Sequence, residues 1–387
     1  MKIVLIGNYV PDGQQSMLKF ANMFLQLAET QPIKITLWQP PTILGRFLPS
    51  SKWRKWLGYA DKYLLSLPSL AVAIHEADLV HILDHSNAVY GPLLGKKSWM
   101  VTCHDLLAVR SARGEFPDQR TGWSGRLLQK WILWALSKAP TIICDSQATL
   151  QDLNRIIPSK TKHRLVIHVG LNYKYQPREP SHWKYGLRNL FEKRDLQPPD
   201  RYLFHIGGNQ WYKNRQRVLE IFQRLTQTSG QAGIRLVMAG EAPNHELIEL
   251  TQTWVDPTKV IWLGKVSNDE LETLYHGAEC LLFPSLAEGF GWPIVEALAC
   301  GSVVVTSKRP PMNEIGGDAC TYIDPDQIDA AAATLADLLK NPCLRFPENV
   351  DQRLQQASLF SADQMLKSYL ALYRQKLIHE TVPTPFP

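Results

Sequence analysis

Short apolar runs of strand length alternate along the chain with segments whose apolar residues recur at helical spacing. Six such runs occupy the first half: KIVLIG, IKITLW, DLVHIL, SWMVTC, TIICDS and RLVIHV. The segment SMLKFANMFLQLAE, between the first two runs, has the apolar spacing of a helix. The alternation predicts an α/β domain with a mainly parallel sheet, whose strands are buried on both faces.

Six further runs follow in the second half: YLFHIGG, IRLVMAG, VIWLG, CLLFPS, SVVVTS and ACTYID. Helical segments lie between most of them, and SNDE at Ser267–Glu270 has the spacing of a capping box. This half therefore predicts a second doubly wound domain. Ligands of such sheets bind beyond the carboxyl ends of the strands, so the loops after each strand are the places to search.

The length of 387 residues also favours two domains over one core. We expect an N-terminal Rossmann-like domain at 1–175 and a linker at 176–201, rich in proline and charge and with room for one short helix. A C-terminal domain is expected at 202–360, and a C-terminal helix and tail at 361–387.

Composition adds limits on the class of protein. Hydrophobic residues make up 45% and charged residues 20%, as in globular proteins, and the net charge of +6 fits an anionic ligand or surface. The six cysteines are at least twenty residues apart, which excludes zinc-type pairs and favours buried thiols in a cytoplasmic chain. The start MKIVLIGNYVPDG predicts a strand and not a signal peptide. No apolar stretch approaches the roughly 20 residues of a membrane span.

The stretch PSLAEGFGWPIVEALACG combines strand, loop and helix. Pro293 suits a first helical turn, and Gly301 can end the helix in a left-handed conformation. The amides of Phe290, Gly291 and Trp292 would then lie at the positive end of the helix dipole. This arrangement predicts a phosphate site.

Glu288 and Glu296 flank that predicted phosphate site. Carboxylates repel a phosphate unless they accept hydrogen bonds from hydroxyl groups. A nucleotide sugar carries hydroxyls on both sides of its phosphates, on the ribose and on the hexose. Taken alone, however, the two glutamates favour the simpler interpretation of an exposed helix residue and a charged loop residue, since helix faces are usually charged.

The pattern of Glu, seven residues and Glu, with Gly-Phe-Gly and Pro inside, resembles the signature of the retaining glycosyltransferases of family 4, or group 1. Further stretches resemble the family in order: VTCHDLLAVR, CDSQATLQDL, FHIGGNQWYKNRQRVLEIF, WLGKVSNDELETLYHGAECLLFPS and EIGGDACTYIDP. Within these stretches, HDLLAVR and EIGGDACTYIDP look most like mannosyltransferase-type members. The resemblance implies a GT-B fold, an α/β architecture of two facing Rossmann-like doubly wound domains with an interdomain cleft.

The resemblance also implies roles in holding the donor. Glu288 would hold hydroxyls of the sugar, Glu296 the ribose, and the amides of Phe290 and Gly291 the diphosphate or sugar. Lys213 would neutralise the departing diphosphate, and the backbone of Gly264 and Val266 would contact the nucleobase. The alternative for Lys213 is a solvated surface lysine.

One position departs from the family's pattern. Many relatives have an arginine shortly before the lysine, where this chain has Asn209. Either Arg215 or Arg217 compensates for the missing cation, or Asn209 contributes a hydrogen bond only.

In the first domain, His104 resembles the family's histidine near the sugar and the reacting bond, although a histidine at a strand end is otherwise more often structural. His81 and His85 are expected to support packing or polar contacts. Gly13 resembles a loop glycine on the acceptor side, and an ordinary turn glycine fits it equally well.

The implied reaction moves a hexose from a nucleotide sugar, of GDP-mannose or UDP-glucose type, to an acceptor hydroxyl with retained anomeric configuration. His104, Lys213 and Glu288 are its catalytic candidates. Neither a cofactor nor a metal is expected, since Lys213 and the helix start supply positive charge. Asp324 and Asp326 are expected in a surface turn. A sugar-nucleotide epimerase and a non-catalytic nucleotide-sugar binder remain alternatives.

The acceptor would be a sugar or a lipid-linked sugar, as in cell-envelope polysaccharide or glycolipid synthesis. Residues 46–62 mix basic and aromatic side chains, which suits peripheral contact with the inner face of a membrane and suits packing on the first domain equally. No readout motif for nucleic acid accompanies them.

Overall fold

The chain forms two compact units in the computed structural model, which describes residues 1–46, 54–119, 121–158, 163–228, 230–254, 256–341 and 347–381. One unit comprises Met1–Asn172 together with Ala362–Pro387, and the other comprises Tyr173–Ser361. Each contains one parallel six-stranded sheet with helices, and the α/β prediction is confirmed.

The sheet of the first unit has the strand order β2-β1-β3-β4-β5-β6, and every neighbouring pair is parallel. Its strands are β1 (Lys2–Ile6), β2 (Lys34–Trp38), β3 (Leu79–Ile82), β4 (Ser98–Cys103), β5 (Thr141–Cys144) and β6 (His163–Val166). All six predicted runs contribute a strand. The central strands β3 and β5 are buried at every residue, which explains why they are continuous apolar runs without polar alternation.

The sheet of the second unit has the order β12-β11-β10-β7-β8-β9, again parallel throughout. Its strands are β7 (Tyr202–Gly207), β8 (Arg235–Gly240), β9 (Val260–Gly264), β10 (Cys280–Phe283), β11 (Val304–Ser307) and β12 (Thr321–Ile323). The six predicted runs are confirmed here too. Since β10 and β7 are neighbours, the loops that follow them leave the same edge of the sheet.

Helices cover the sheets. The first unit has α1 (Gln15–Thr30), α2 (Arg54–Ala60), α3 (Leu67–Ile74), α4 (Leu107–Ala112), α5 (Trp123–Leu136) and α6 (Gln147–Ile156). The second has α7 (Pro180–Glu192), α8 (Arg215–Thr226), α9 (His245–Gln252), α10 (Asn268–Gly277), α11 (Trp292–Ala299), α12 (Met312–Gly316), α13 (Ile328–Lys340) and α14 (Pro347–Ser358). Shorter turns add 3-10 helices at Val10–Asp12, His85–Leu94, Trp211–Lys213, Pro257–Lys259 and Gly317–Ala319, and a π-helix at Asp61–Leu65. Ser267 caps α10 in the predicted capping box.

The last helix, α15 (Ala362–Thr381), returns to the first unit. The hydroxyl of its Tyr373 lies 2.7 Å from Nδ1 of His81, and that of Tyr369 lies 3.0 Å from Oγ1 of Thr102. Both tyrosines are fully buried, so this helix completes the first core.

Residues 176–201 lie within the second unit and hold α7, a helix of 13 residues. A β-carbon at Gly186 would lie 2.9 Å from Oγ1 of Thr273 on α10, so the two helices approach closely at this glycine. Among the described residues, no helix is both long enough and apolar enough to cross a bilayer.

Candidate functional site

Lys213 and Glu288 meet at the carboxyl end of the second sheet. Lys213 ends the 3-10 turn after β7, and Glu288 lies in the loop after β10. The lysine Nζ is 2.9 Å from each carboxylate oxygen of Glu288, and also lies 5.4 Å from the centre of the Phe283 ring. The Lys213 side chain is only 19% exposed, so it is not a solvated surface lysine.

Asn214 ties the two loops together. Its backbone is left-handed, with φ of 56°, a conformation that asparagine tolerates better than most residues. Its side-chain amide donates to the carbonyl of Pro284 at 3.0 Å, and the amide of Leu286 donates to the carbonyl of Tyr212 at 2.8 Å. These bonds hold the Lys213 loop against the Glu288 loop.

The helix predicted behind this loop is present as α11. Gly291 precedes it with φ of 102°, a conformation that favours glycine, and Pro293 lies in its first turn. Gly301 follows the helix with φ of 74°, as predicted. The loop that carries Glu288 therefore leads directly into a helix N-terminus.

Glu296 is 4% exposed, so the alternative that it lies on a solvated helix face is wrong. The hydroxyl of Tyr275 donates to its carboxylate at 2.8 Å. Burial, together with this carboxylate, raises the pKa of Tyr275 well above its usual value. A carboxylate has two oxygens and about four acceptor sites, so it can accept ligand hydroxyls beside the Tyr275 hydroxyl.

Asn209 is linked to Arg215, one of the two arginines considered as compensation. Arg215 donates through Nη1 to Oδ1 of Asn209 at 2.5 Å and to the carbonyl of Glu241 at 2.9 Å. Burial lowers the pKa of Arg215 to about 10. Arg217 is occupied differently, because it pairs with Glu220 at 2.6 Å.

A close backbone approach at the same edge was not predicted from sequence. Gly240, at the end of β8, has φ of 111°, and a β-carbon there would lie 2.2 Å from the carbonyl oxygen of Gly207. Only glycine fits this contact, which brings the ends of β7 and β8 together.

Gly264 and Val266 lie just after β9. Gly264 has φ of 68°, and Val266 is half-buried. Arg194 holds this turn, since its guanidinium donates to the carbonyls of Leu263 at 3.4 Å and Lys265 at 3.3 Å.

In the first unit, both ring nitrogens of His104 have protein partners. Nδ1 lies 2.5 Å from the carboxylate of Asp145, and Nε2 lies 2.8 Å from the carbonyl of Leu83. Burial alone would oppose protonation, but the Asp145 carboxylate outweighs it and raises the pKa of His104 to about 9. His104 is therefore a buried cation at neutral pH.

The two other histidines have the supporting roles expected of them. His81 bonds two hydroxyl groups, of Tyr373 and Thr102, and burial lowers its pKa to about 3, so it is neutral. His85 is buried, with Nδ1 3.3 Å from Asp84.

A polar cluster beside His104 escaped sequence reasoning. The side-chain amide of Asn8, after β1, donates to Asp84, after β3, at 2.5 Å, and that of Asn87 donates to Oδ1 of Asn8 at 3.1 Å. Burial would raise the pKa of Asp84, but His85, His104 and the Asn8 bond hold it below its usual value. The available signal was an Asn or Asp two residues after the end of β1 and of β3.

Gly13 ends the 3-10 turn Val10–Asp12 with φ of 69°, and a β-carbon there would meet no atom within 4 Å. The conformation explains the glycine, whatever role the loop has.

The segment 46–62 is only partly described, because residues 47–53 lie outside the described ranges. Lys62 pairs with Asp12 at 2.9 Å and lies over the rings of Tyr9, Tyr59 and Tyr63 at 5.2 to 5.8 Å. It therefore binds its own unit rather than facing outward.

Glu272, His276 and Cys300 form a group whose potential metal-ligand atoms lie within 4.8 Å of one another, in the part of the chain that is described. Arg178 donates to Glu272 at 3.1 Å, and Nε2 of His276 lies 3.1 Å from the carbonyl of Gln176. Protein partners thus already use two of the three. Asp324 and Asp326 are exposed in a turn, as predicted.

Comparison with known proteins places these residues in context. Residues 188–357 match the sequence model of "Glycosyl transferases group 1". O-antigen chain mannosyltransferase B of Escherichia coli is 26% identical over 64% of this chain, and the match spans 62% of that relative. D-inositol 3-phosphate glycosyltransferase of Mycobacterium marinum is 24% identical over 82% of this chain and 70% of its own length.

Solved structures share the fold of the whole chain. Sucrose-phosphate synthase of Thermosynechococcus elongatus matches 97% of this chain and 98% of its own with a TM-score of 0.75 and 17% identity. WaaG, a glycosyltransferase involved in lipopolysaccharide biosynthesis, matches 95% of this chain and 98% of its own with a TM-score of 0.67 and 15% identity. The fold is GT-B.

Proposed function

Residues 188–357 are a group 1 glycosyltransferase domain with mannosyltransferase homologues, and from this premise we propose that the chain is a retaining hexosyltransferase. It moves a hexose from a nucleoside diphosphate sugar to an acceptor hydroxyl and keeps the anomeric configuration. The observation that carries the proposal is the ion pair between Lys213 and Glu288, beside the start of α11.

Donor binding would exchange the partners of that pair. The pyrophosphate accepts hydrogen bonds from Lys213, and the hexose hydroxyls donate to Glu288. Each charged side chain is then paired before and after binding, so neither is left buried alone. Without a donor, the pair keeps both side chains in place at the carboxyl end of the sheet.

The chemical step breaks the bond between the anomeric carbon and the β-phosphate oxygen and forms a bond from that carbon to the acceptor oxygen. The acceptor's proton passes to the departing phosphate. Negative charge grows on this phosphate in the transition state, and Lys213 together with the amides of Phe290 and Gly291 stabilises it. The positive charge for departure comes from the protein, so we expect transfer to be insensitive to EDTA.

The remaining donor contacts follow the edge of the second sheet. Glu296 accepts a ribose hydroxyl while it keeps its bond from Tyr275. The backbone at Gly264 and Val266 contacts the nucleobase. Asn209 orients Arg215, whose charge takes the place of the arginine that many relatives have.

In the first unit, we assign His104 and Gly13 to the acceptor side. His104 already donates to Asp145 and Leu83, so its contribution there is a fixed positive charge instead of a proton acceptor.

The donor we favour is GDP-mannose, because the relative from Escherichia coli is by name a mannosyltransferase, and UDP-glucose is the next choice. The acceptor is a sugar or a lipid-linked sugar of cell-envelope polysaccharide or glycolipid synthesis. Contact of residues 46–62 with the inner face of a membrane stays a prediction.

A non-catalytic nucleotide-sugar binder is the second candidate. Asn209 at the position of the family's arginine favours it, since one cation near the phosphates is replaced by a neutral side chain.

Incubation of the full chain with GDP-mannose or UDP-glucose, with and without sugar acceptors, tests the proposal. We expect nucleoside diphosphate release that rises with acceptor, and a product whose anomeric configuration by NMR equals that of the donor. An inverted product would contradict retention. A donor-dependent rise in Tm without turnover of any donor would favour the non-catalytic binder.

A further inference from the structure

Helix α5 carries exposed apolar side chains along one face. Trp123 is 75% exposed, Leu127 63%, Trp131 39% and Trp134 50%. We propose that this face, the α5 face, docks on the surface of an anionic lipid bilayer. The inference does not depend on the transferase activity, and the four residues of the α5 face lie outside the segment 46–62.

The four side chains lie on one side of the helix. At 100° per residue, they fall within an arc of about 80°. Ile132, Ala135 and Leu136 point the other way and are buried in the core of the first unit. One side of the helix therefore already packs in the core of the first unit. The α5 face is a second apolar side that does not serve that core.

Cations adjoin the apolar arc. Arg126 and Lys130 are exposed and lie next to it on the helix, within about 60° of Trp123 at 100° per residue. The sequence from Thr121 to Cys144 contains no Asp or Glu. A basic side chain near an anionic membrane surface adds attraction, and apolar side chains beside it enter the boundary between head groups and acyl chains.

The composition of the face favours lipid over protein. Three of its four apolar residues are tryptophans, which are enriched at membrane interfaces because the indole ring is apolar and has one polar N–H group. A second copy of the chain is a poorer occupant. Apposition of two α5 faces about a twofold axis would bring Arg126 and Lys130 of each copy towards the same cations of the other.

The face has a rigid base. The Trp131 ring lies 5.0 Å from that of Tyr63, which lies 5.8 Å from that of Tyr59, and Tyr59 lies 5.9 Å from Trp56. This chain of rings links α5 to α2, where Trp56 is 48% exposed. Because these rings are fixed, docking needs little ordering of side chains.

Flotation of the full chain with vesicles tests the proposal. We expect binding to vesicles of equal parts phosphatidylglycerol and phosphatidylcholine, weakened by salt, and little binding to phosphatidylcholine alone. Trp123→Ser with Leu127→Ser should lower the partition coefficient about tenfold, and so should Arg126→Gln with Lys130→Gln.

Each pair of substitutions has a matched control in the second unit. Tyr185→Ser with Leu359→Ser removes an aromatic and a leucine of similar exposure, and Lys184→Gln with Arg188→Gln removes the same two charges from α7. Both controls should bind vesicles within about twofold of the unaltered chain. Circular dichroism and Tm verify that all variants fold.

Three results would overturn the proposal. The first is an unaltered chain that stays unbound in the presence of anionic vesicles. The second is equal loss of binding in the α5 variants and their controls. The third is a dimer that Trp123→Ser with Leu127→Ser converts to a monomer, with no vesicle binding. Brominated lipid should in addition quench tryptophan fluorescence less in Trp123→Phe than in the unaltered chain. A donor-induced rise in Tm, unaffected by the α5 variants, reports on the proposed transferase separately.

Discussion

Charged side chains lie at the carboxyl ends of both sheets, but the kind of partner that each one has differs between the two units. In the first unit, His104 lies between Asp145 and the Leu83 carbonyl, and both nitrogens are used within the fold. In the second unit, Lys213 and Glu288 pair with each other across two loops. The first arrangement is built into a core, whereas the second can exchange its partners for a ligand.

The comparison shows why burial alone does not identify a ligand site. His104 and Glu296 are both nearly inaccessible, yet they differ in the bonds they can make. Each nitrogen of His104 makes one bond and is used, whereas a carboxylate such as that of Glu296 has about four acceptor sites. The number of hydrogen bonds that a buried group can make, and not its depth alone, therefore bears on whether it can also bind a ligand.

The largest effect should come from breaking the pair of Lys213 and Glu288. Lys213→Ala should lower kcat at least about a hundredfold, since it removes a charge that stabilises the departing phosphate. The control Lys184→Ala, an exposed lysine of α7, should keep the full rate. Steady-state assays with the preferred donor measure both. A Lys213→Ala enzyme with unaltered kcat would place the catalytic charge elsewhere.

The backbone beneath that pair should be the next most sensitive. Gly240→Ala forces a β-carbon against the Gly207 carbonyl at positive φ and should lower the free energy of unfolding by about 3 kcal/mol. Gly233→Ala, where a β-carbon meets no atom within 4 Å, is its control. Chemical denaturation of the two variants compares them. Equal free energies of unfolding would mean that β7 and β8 can move apart with little loss of stability.

In the first unit, the pairing of His104 with Asp145 should make the stability of the protein depend on pH. The pKa of His104 is raised to about 9 by Asp145, above the value near 6.5 of an unfolded histidine. Its stabilising contribution is therefore complete below about pH 6.5 and is lost as the pH rises through 9. Asp145→Asn should flatten this dependence, which amounts to about 3 kcal/mol. Tm measured from pH 6 to 10 tests it, and parallel curves for both proteins would contradict the pairing.

The smallest effect should come from removing the Tyr275 hydroxyl, which donates to Glu296, the residue proposed to bind the ribose. Tyr275→Phe removes one hydrogen bond to Glu296 and should lower the free energy of unfolding by about 1 kcal/mol. It should also weaken the donor-induced rise in Tm. Glu296→Gln, which can still accept the Tyr275 bond, should lose that rise while it retains more stability. A full donor response in both variants would remove Glu296 from the site.

The strands could be predicted because a strand that is buried on both faces has apolar residues at consecutive positions. The start of α11 was predictable for a similar local reason, since Gly291, Pro293 and Gly301 specify its ends. Lys213 and Glu288 were singled out by resemblance, and their direct contact joins residues 75 positions apart. No local pattern encodes such a pair.

Longer separations account for what was missed. The bond from Asn8 to Asp84 spans 76 positions, and that between His81 and Tyr373 spans 292. The sequence could indicate α15 as a helix, but not that it would complete the core of the first unit. The exposed tryptophans of α5 were likewise invisible, because exposure depends on which face the rest of the unit covers.

The most direct test of the account is a crystal structure with the nucleotide sugar that gives the largest rise in Tm. The account predicts that Nζ of Lys213 leaves Glu288 for an oxygen of the pyrophosphate, within about 3 Å, while Glu288 accepts bonds from the hexose hydroxyls. A donor whose pyrophosphate lies elsewhere, with Lys213 still paired to Glu288, would contradict it.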